Sequence, residues 1–289
     1  MDILVKALAH QGAIRILVAD TTQTVQEAAR RHLTYPTASA ALGRTLTMTA
    51  ILGSMHKSAQ GKVTVQINGG GPLGTILCDA NQQGEVRGFV SNPEVNFINA
   101  DTKKLDVGRA VGKEGTLRVI QDLKLKDDFT GTVALQSGEI AEDFAYYFTL
   151  SEQTPSAVSL GVLVNEHSDV VAAGGIVIQM MPSATEADIQ IAEDVVKHLK
   201  PISTLIKEGM TAPEIAESLF QDVEILGMNT IQFKCSCSRE RMFEALETVE
   251  KKELEAMIHE DHGCEMTCHF CNTPYHFTEE ELSSLLSHS

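Results

Sequence analysis

The residues best suited to chemistry in this chain are cysteines, and five of the six lie in its last fifth. Four of them form two close pairs, Cys235-x-Cys237 and Cys268-x-x-Cys271, with thirty residues between the pairs. A further thiol, Cys264, lies shortly before the second pair. Because thiols stay reduced in a cytoplasm, clustered cysteines there are more often metal ligands or redox groups than structural disulfides. The spacing therefore predicts a compact metal or redox unit.

Four thiolates are the ligand set of a closed tetrahedral zinc site, and sulfur ligands favour zinc, copper(I) or iron–sulfur clusters over magnesium or calcium. The chain beyond Phe233 has only about 56 residues, and a unit of that size usually needs a metal or another staple to fold. Two hypotheses lead here: a structural zinc knuckle, and a zinc site that opens on oxidation. Either close pair could form a local disulfide once the metal is lost, if the turn brings the two Cα atoms within about 7 Å. Since zinc-binding free energy is also folding free energy, oxidation would then release the metal and unfold the tail together.

The other thiols and nearby imidazoles are secondary candidates. Cys264 could be a spare ligand, a resolving thiol or a bystander at a helix end, and we favour the bystander. His262, His269 and His276 are within plausible reach, but four cysteines already complete a zinc site. Cys78 lies within a strand pattern far from the others, which indicates a buried structural residue.

Charge and composition exclude several classes of protein. The formal net charge is −16, which argues against a nucleic-acid partner because such binding needs cationic side chains to neutralise phosphates. From Lys234 onward five Lys and Arg face twelve Asp and Glu, so the cysteine unit itself is acidic. No stretch approaches the ~20 apolar residues of a membrane span. The N-terminus has no basic region or cleavage-like site, so no signal peptide is expected. We expect a cytoplasmic protein.

The first 180 residues are predicted to form an α+β domain rich in antiparallel sheet, because short alternating runs are separated by turns containing Gly and Asn. The predicted strands cover 63–67, 74–79, 85–90, 117–123, 130–135, 145–150, 159–164 and 170–180. Two helices are predicted before the first hairpin, over 25–31 and 38–55.

The pattern changes after Pro182. Ser183-x-x-Glu186 and Thr211-x-x-Glu214 are capping-box signals, so residues of about 182–232 are predicted to form a run of short amphipathic helices. Helices this short are marginal in water and must be held by packing against a neighbour. A segment of this kind is a good candidate for conditional unfolding.

Three domains are predicted overall: an α+β core over 1–180, a helical linker over 181–232 and a C-terminal zinc-binding unit over 233–289. Within the tail, helices are predicted over 239–249 and 252–259, and a last helix begins at Thr278-x-x-Glu281.

The other motifs in the sequence do not indicate a function. Gly69-x-Gly71-x-x-Gly74 has the letters of a dinucleotide fingerprint, but that motif needs a following helix. A strand is predicted there instead, so the glycines indicate an interstrand turn. The sequence contains no G-x-x-x-x-G-K-[ST], G-x-S-x-G or H-E-x-x-H motif, so we do not expect an enzyme of those classes.

With the cysteines placed, the whole chain resembles the heat shock protein 33 family of redox-regulated bacterial chaperones. The resemblance runs from end to end, and its most specific part is Cys235-x-Cys237 followed at this distance by Cys268-His-Phe-Cys271. Its other segments are Pro36-Thr-Ala-Ser-Ala-Ala-Leu-Gly-Arg44, Gly69-Gly-Gly-Pro-Leu-Gly74, Val90-Ser-Asn-Pro93, Leu105-Asp-Val107, Phe129-Thr-Gly131, Glu142-Asp-Phe144, Ser151-Glu-Gln-Thr-Pro155 and Ala172-Ala-Gly-Gly175.

The resemblance implies an ATP-independent holdase, inactive while reduced and zinc-bound. It implies one Zn²⁺ held by Cys235, Cys237, Cys268 and Cys271, and disulfides Cys235–Cys237 and Cys268–Cys271 after oxidation. Zinc release would unfold the C-terminal unit and destabilise the linker, opening apolar surface to unfolding client proteins, with a homodimer as the active form. Cys264 falls outside the motif and leaves other pairings open.

Two further hypotheses belong to other classes. A dithiol oxidoreductase would use Cys268-x-x-Cys271 catalytically, but no βαβ pattern surrounds that motif and the C-x-C pair would be idle. An acidic zinc-ribbon scaffold would instead bind a protein partner permanently.

Overall fold

The computed structural model describes residues 1–56, 60–124 and 128–286. Internal contacts divide the chain into two compact units, Met1–Lys234 and Cys235–Ser289. The segment 181–232 lies within the first of these, while its separation as a linker domain stays a prediction. The last three residues of the predicted tail fall outside the described ranges.

The first unit is built on a ten-stranded sheet with the order β7-β6-β3-β4-β5-β10-β1-β2-β9-β8. Its strands are β1 Asp2–Ala9, β2 Ile14–Asp20, β3 Lys62–Asn68, β4 Ile76–Asn81, β5 Glu85–Val90, β6 Thr116–Asp122, β7 Phe129–Ala134, β8 Ser156–Val164, β9 Val170–Met180 and β10 Glu224–Phe233. All neighbouring pairs are antiparallel except β5 and β10, which are parallel. The predicted α+β class with an antiparallel-rich sheet is confirmed.

Seven α-helices accompany this sheet in the described residues, together with a single 3-10 turn at His10–Gly12. They are α1 Thr22–His32, α2 Pro36–Met55, α3 Val107–Val111, α4 Ala141–Leu150, α5 Glu186–His198, α6 Ile202–Lys207 and α7 Ala212–Leu219. Within the described ranges, no helix combines the length and apolarity needed to cross a bilayer.

Helix α2 forms the centre of the main core. Seventeen of its residues are buried, as expected of a helix without a polar face. The hydroxyls of Thr45, Thr47 and Thr49 donate to the carbonyl oxygens four residues earlier at 2.7–2.9 Å. These bonds let polar residues lie in the core without an unsatisfied group.

The β1–β2–β9 part of the sheet is covered on both faces. Leu17 and Val177 pack into the core around α2, whereas Ile16, Ile176 and Ile178 pack into a second cluster with residues of α5, α6 and α7. Burial on both sides explains the almost continuous apolar run of β9, which an alternating pattern could not produce. The helices after Met180 therefore rest on an apolar face of the sheet.

Two predicted elements are wrong, and strands β1 and β2 were not predicted at all. Residues 145–150, predicted as a strand, belong to α4, because Phe144, Tyr147 and Phe148 recur at helical spacing and are all buried. The Asp143 carboxylate also accepts backbone N–H groups of Gln136 and Ile140 at 2.6 and 2.9 Å, which caps the start of α4.

The helices predicted over 182–232 also extend too far toward the C-terminus. Its last part is β10, whose residues alternate between exposed and partly buried and which pairs with β1 and β5. The first capping box is formed by Thr185 and Asp188 rather than by Ser183 and Glu186. The second, Thr211 with Glu214, is confirmed, with Thr211 N donating to Glu214 Oε2 at 2.8 Å.

The glycine motif at Gly69–Gly74 is an interstrand turn between β3 and β4, as predicted. A Cβ at Gly69 would collide with the backbone of Val111 and Gly112, and a Cβ at Gly71 with the backbone of Ala110 and Val111. Close backbone approach, not phosphate binding, therefore requires these glycines.

Candidate metal centre

The second unit is a small fold around the turn of a β-hairpin. Its elements are α8 Arg239–Leu246, α9 Lys251–His259, β11 Gly263–Thr267, β12 Pro274–Thr278 and α10 Glu279–Leu286. Strands β11 and β12 pair antiparallel, and the Cys268-x-x-Cys271 segment connects them. The two predicted helices and the start of the last helix are confirmed, whereas the hairpin was not predicted.

The hairpin turn presents the second cysteine pair. Cys268 N donates to Thr273 O at 3.0 Å, and Asn272 N donates to Cys268 O at 2.7 Å. Asn272 adopts φ +56°, a left-handed conformation that Asn tolerates better than most residues. This tight turn directs both sulfurs to the same side.

The first pair is held by the residues that start α8. Ser238 Oγ accepts the N–H of Arg241 at 3.3 Å as the helix cap, and the Arg241 guanidinium donates to Ser236 O at 3.1 Å. Arg239 donates to His276 O at 2.9 Å and lies 4.5 Å from the centre of the Phe277 ring. These contacts attach the C-x-C segment to strand β12.

The four predicted cysteines converge. The sulfurs of Cys235, Cys237, Cys268 and Cys271 all lie within 4.8 Å of one another. Cys235 Sγ is 3.8 Å from Cys268 Sγ, and Cys237 Sγ is 3.4 Å from Cys271 Sγ. A tetrahedral site with Zn–S bonds of about 2.3 Å separates its sulfurs by about 3.8 Å. The cluster could therefore hold a metal ion, and its all-sulfur donor set suits zinc.

No disulfide joins the cysteines of the described residues, and the two sulfur–sulfur distances far exceed an S–S bond of about 2.05 Å. Both short distances join one motif to the other. Because all four sulfurs are within 4.8 Å of one another, the spacing alone does not select one disulfide pairing.

The two pairs differ in exposure. Cys268 and Cys271 are 5% and 2% exposed, whereas Cys235 and Cys237 are half-buried. Burial raises the pKa of Cys268 to about 12. At Cys271 burial acts in the same direction, but hydrogen bonds with Thr273 and neighbouring sulfurs outweigh it and bring its pKa to about 7. A divalent cation that binds these sulfurs would displace the remaining thiol protons.

Two hydroxyl groups contact the sulfurs, and the sequence interpretation missed both. Tyr275 Oη donates to Cys237 Sγ at 3.1 Å, and Thr273 Oγ1 lies 3.2 Å from Cys271 Sγ. The bond to Cys237 raises the pKa of Tyr275 above its ordinary value, so the phenol keeps its proton. The sequence offered one indication of these contacts, because a Thr and a Tyr follow Cys271 within four residues.

The remaining candidates lie outside this group. Cys264 is on β11 opposite Phe277 and packs against the small apolar cluster, so its expected position at a helix end is wrong. No histidine belongs to a potential metal-ligand group in the described part of the chain. Cys78 is fully buried on β4, as predicted, and burial raises the pKa of its thiol well above the ordinary value.

The apolar core of this unit is small. Its buried members among the described residues are Leu246, Leu254, Ile258, Phe277, Leu282 and Leu285. Six side chains are few for a unit of this length, and small folds usually add a metal or disulfides to such a core. The four sulfurs bring the C-x-C segment next to the hairpin, so a metal held by them would add a link to this small core.

Comparisons with known proteins agree with this description. A family model described as Hsp33 protein matches residues 2–278. A 33 kDa chaperonin from Bacillus pumilus (strain SAFR-032) is 49% identical over 286 residues, covering 99% of this chain and 98% of its own length. One from Staphylococcus aureus (strain Newman) is 49% identical over 288 residues, with coverage of 99% and 98%.

A solved structure shows the same fold. The crystal structure of the 33 kDa chaperonin, a heat shock protein 33 homologue, from Thermotoga maritima matches with a TM-score of 0.92 at 36% identity. The match covers 99% of this chain and 98% of that one. The resemblance inferred from the sequence is thereby confirmed: the chain belongs to the Hsp33 family, whose curated members carry the name 33 kDa chaperonin.

Proposed function

We propose that the chain is a redox-regulated, ATP-independent holdase that binds unfolding proteins during oxidative stress. In the reduced state Cys235, Cys237, Cys268 and Cys271 hold one Zn²⁺, and the protein is inactive. The observation that carries the proposal is the meeting of these four sulfurs within 4.8 Å in a chain of the Hsp33 family.

The cysteines supply the sensing chemistry. A thiolate attacks one oxygen of hydrogen peroxide, the O–O bond breaks, and the departing hydroxide takes a proton to become water. The resulting sulfenic acid is attacked by a second thiolate, an S–S bond forms, and a second water leaves. Zinc, when bound, would keep the sulfurs as thiolates and join the two motifs. Each disulfide removes two ligands, and we propose the pairs Cys235–Cys237 and Cys268–Cys271.

Loss of the metal has a structural consequence in this unit. Six buried apolar residues form its core, and metal-binding free energy is folding free energy when no site exists in the unfolded chain. Oxidation therefore removes the cross-link between the C-x-C segment and the hairpin and unfolds the tail.

The helices of the segment 181–232 are suited to respond. Helix α5 buries only Ala192, and Ile191 and Val196 are each 38% exposed. An apolar cleft of about 550 Å³ separates one side of α5 from β8 and β9, and another of about 540 Å³ lies between α5 and α7. Helix α5 is thus loosely packed, because the empty space beside it removes van der Waals contacts that would hold it in place.

Undocking of these helices would create a client-binding surface. The face beneath them includes Ile14, Ile16, Ile176 and Ile178, and a contiguous apolar patch of this kind binds other exposed apolar chains. In the sequence, Cys235 comes two residues after the end of β10, in which this segment ends. We propose that unfolding of the tail releases the segment, that the active form is a homodimer, and that the protein acts in the cytoplasm.

The test measures aggregation of a thermally unfolding client by light scattering, with reduced and with peroxide-treated protein. Zinc release is followed with a chromogenic chelator, and disulfides are mapped by mass spectrometry. We expect suppression of aggregation only after oxidation, with about one Zn²⁺ released per chain. Zinc release without suppression would refute the holdase proposal, and turnover of a disulfide substrate would favour an oxidoreductase.

Matched cysteine variants make this test specific. Cys268→Ser removes one ligand of the cluster and should lower the zinc content, whereas Cys264→Ser removes a thiol of the same hairpin outside it. Equal zinc loss in the two variants would contradict the proposed ligand set.

A further inference from the structure

The hydroxyl of Tyr275 is placed against the metal centre in a way that the cysteine motif does not require. It lies 3.1 Å from Cys237 Sγ as a hydrogen-bond donor. The ring of Tyr275 packs at the edge of the small apolar cluster of the second unit, so its position is fixed independently of that hydrogen bond. Ring packing and hydroxyl contact can therefore be separated by experiment.

Cys237 is a vulnerable sulfur of the cluster. It is half-buried, whereas Cys268 and Cys271 are 5% and 2% exposed. Oxidation of cysteine depends on thiolate character and on access, so peroxide reaches the C-x-C side more readily. The hydroxyl of Tyr275 thus contacts one of the two sulfurs of the cluster that burial protects less.

A hydrogen bond to a thiolate has two consequences. Because bound zinc would already keep Cys237 a thiolate, the hydrogen bond would not raise its thiolate fraction; it occupies a sulfur lone pair, so the sulfur attacks the peroxide oxygen more slowly. It also orients the side chain and delocalises the charge of a metal-bound thiolate, and loss of such an outer partner typically weakens metal binding by about 10–100-fold. Both effects keep the cluster closed.

We propose that Tyr275 is a positioning residue that sets the oxidation threshold of the metal centre, by donating a hydrogen bond to Cys237 that slows its oxidation and retains the metal. This inference rests on the proposed function. In the chemical step, Cys237 would attack one peroxide oxygen as the O–O bond breaks with loss of hydroxide, and a second thiolate of the cluster would displace a second hydroxide from the sulfenic acid to form the disulfide; both hydroxides take a proton from solvent. The two sulfurs lose two electrons and the peroxide is reduced to two waters. Without the hydroxyl, the first of these steps is faster.

The experiment uses the full-length, zinc-loaded, reduced protein and the Tyr275→Phe variant, which keeps the ring and removes only the hydroxyl. The matched control is Tyr146→Phe, the same change at a partly exposed tyrosine of α4 in the first unit. Zinc affinity is measured by chelator competition without oxidant. Zinc release is then timed at a fixed peroxide concentration.

We expect Tyr275→Phe to weaken zinc binding by about 10-fold or more and to release zinc several-fold faster under peroxide, while Tyr146→Phe matches the wild type. Circular dichroism of the zinc-loaded variant checks that the fold is retained. A wild-type affinity or a wild-type release rate in Tyr275→Phe would overturn the proposal.

A second variant should change the rate of zinc release in the opposite direction. Fluorinated tyrosine at position 275 has a more acidic phenol and donates a stronger hydrogen bond, so zinc release should be slower than in the wild type. A merely structural role of the ring would leave the rate unchanged in both variants.

If the wild type itself binds no zinc or does not become a holdase, the proposed function fails. If it does both and Tyr275→Phe behaves identically, only the role of Tyr275 fails.

Discussion

Replacing Ile215 by alanine tests whether docking of the helices after Met180 keeps the protein inactive. Ile215 lies on α7, is 0% exposed and packs into the cluster formed with β1 and β2. Ile→Ala removes three carbon atoms, worth about 2.4 kcal/mol at ~0.8 kcal/mol each. The cavity left behind brings the usual cost of such changes to about 2–5 kcal/mol.

The control is Ile191→Ala on α5, the same substitution in the same segment. Ile191 is 38% exposed, so it leaves no enclosed cavity, and alanine is the better helix former. We expect a loss of at most about 1 kcal/mol there.

Amide hydrogen exchange measures the result directly. A loss of about 3 kcal/mol raises the population of the undocked state by about 100-fold, and exchange in α7 of the reduced Ile215→Ala protein should accelerate by that factor. Amides of β9 serve as the internal reference, because they should remain protected if only the helices undock. The variant should also suppress client aggregation at a lower peroxide concentration than the wild type.

Two results would refute this reasoning. If α7 and β9 lose protection equally, the helices do not undock separately from the sheet, and the proposed docking switch is wrong. If α7 exchanges faster but the peroxide dependence of client binding does not change, docking of these helices does not control activity.

Three further outcomes are expected. Removing the metal from reduced protein with a chelator should abolish amide protection across residues 239–286 while the sheet of Met1–Lys234 stays protected, since metal binding is folding free energy for the small unit; retained protection would contradict this. Cys264→Ser should keep one Zn²⁺ per chain and normal activation in the chelator assay, because its sulfur lies outside the four-sulfur group; loss of either would reassign Cys264. Hydrogen bonds from Thr211 hold the pKa of Glu214 below its ordinary 4.5, so this carboxylate stabilises α7 above about pH 4.5 and the stabilisation disappears as the pH falls through the lowered pKa. Exchange in α7 should therefore be slower in the wild type than in Glu214→Gln at pH 6, and this difference should shrink as the pH falls below 4.5; a difference that stays constant down to acid unfolding would exclude the charge as its cause.

Local sequence signals predicted the elements in which apolar residues recur with the period of a strand or of a helix. The run of β5 at Glu85–Val90 was predicted at its observed bounds, and the capping box of Thr211 and Glu214 was identified directly. The aromatic residues of α4 were misread as a strand, because Phe and Tyr favour strands while the cap at Asp143 depends on a turn that no periodicity reveals. Strand β10 was misread as helix, because its place between β1 and β5 is decided by partners more than a hundred residues away in the sequence.

The sequence by itself determined the two close cysteine pairs, the acidic setting and the short amphipathic helices, because residue identity and short spacing are local properties of a chain. Only the tertiary structure decided that the pairs meet with all four sulfurs within 4.8 Å, that Cys264 lies apart on a strand, and that Tyr275 contacts Cys237. The sulfur cluster and the contact of Tyr275 with Cys237 join residues about thirty or more positions apart, and Cys264 is placed by the pairing of β11 with β12. Such contacts arise from the packing of the intervening elements, which no local pattern encodes.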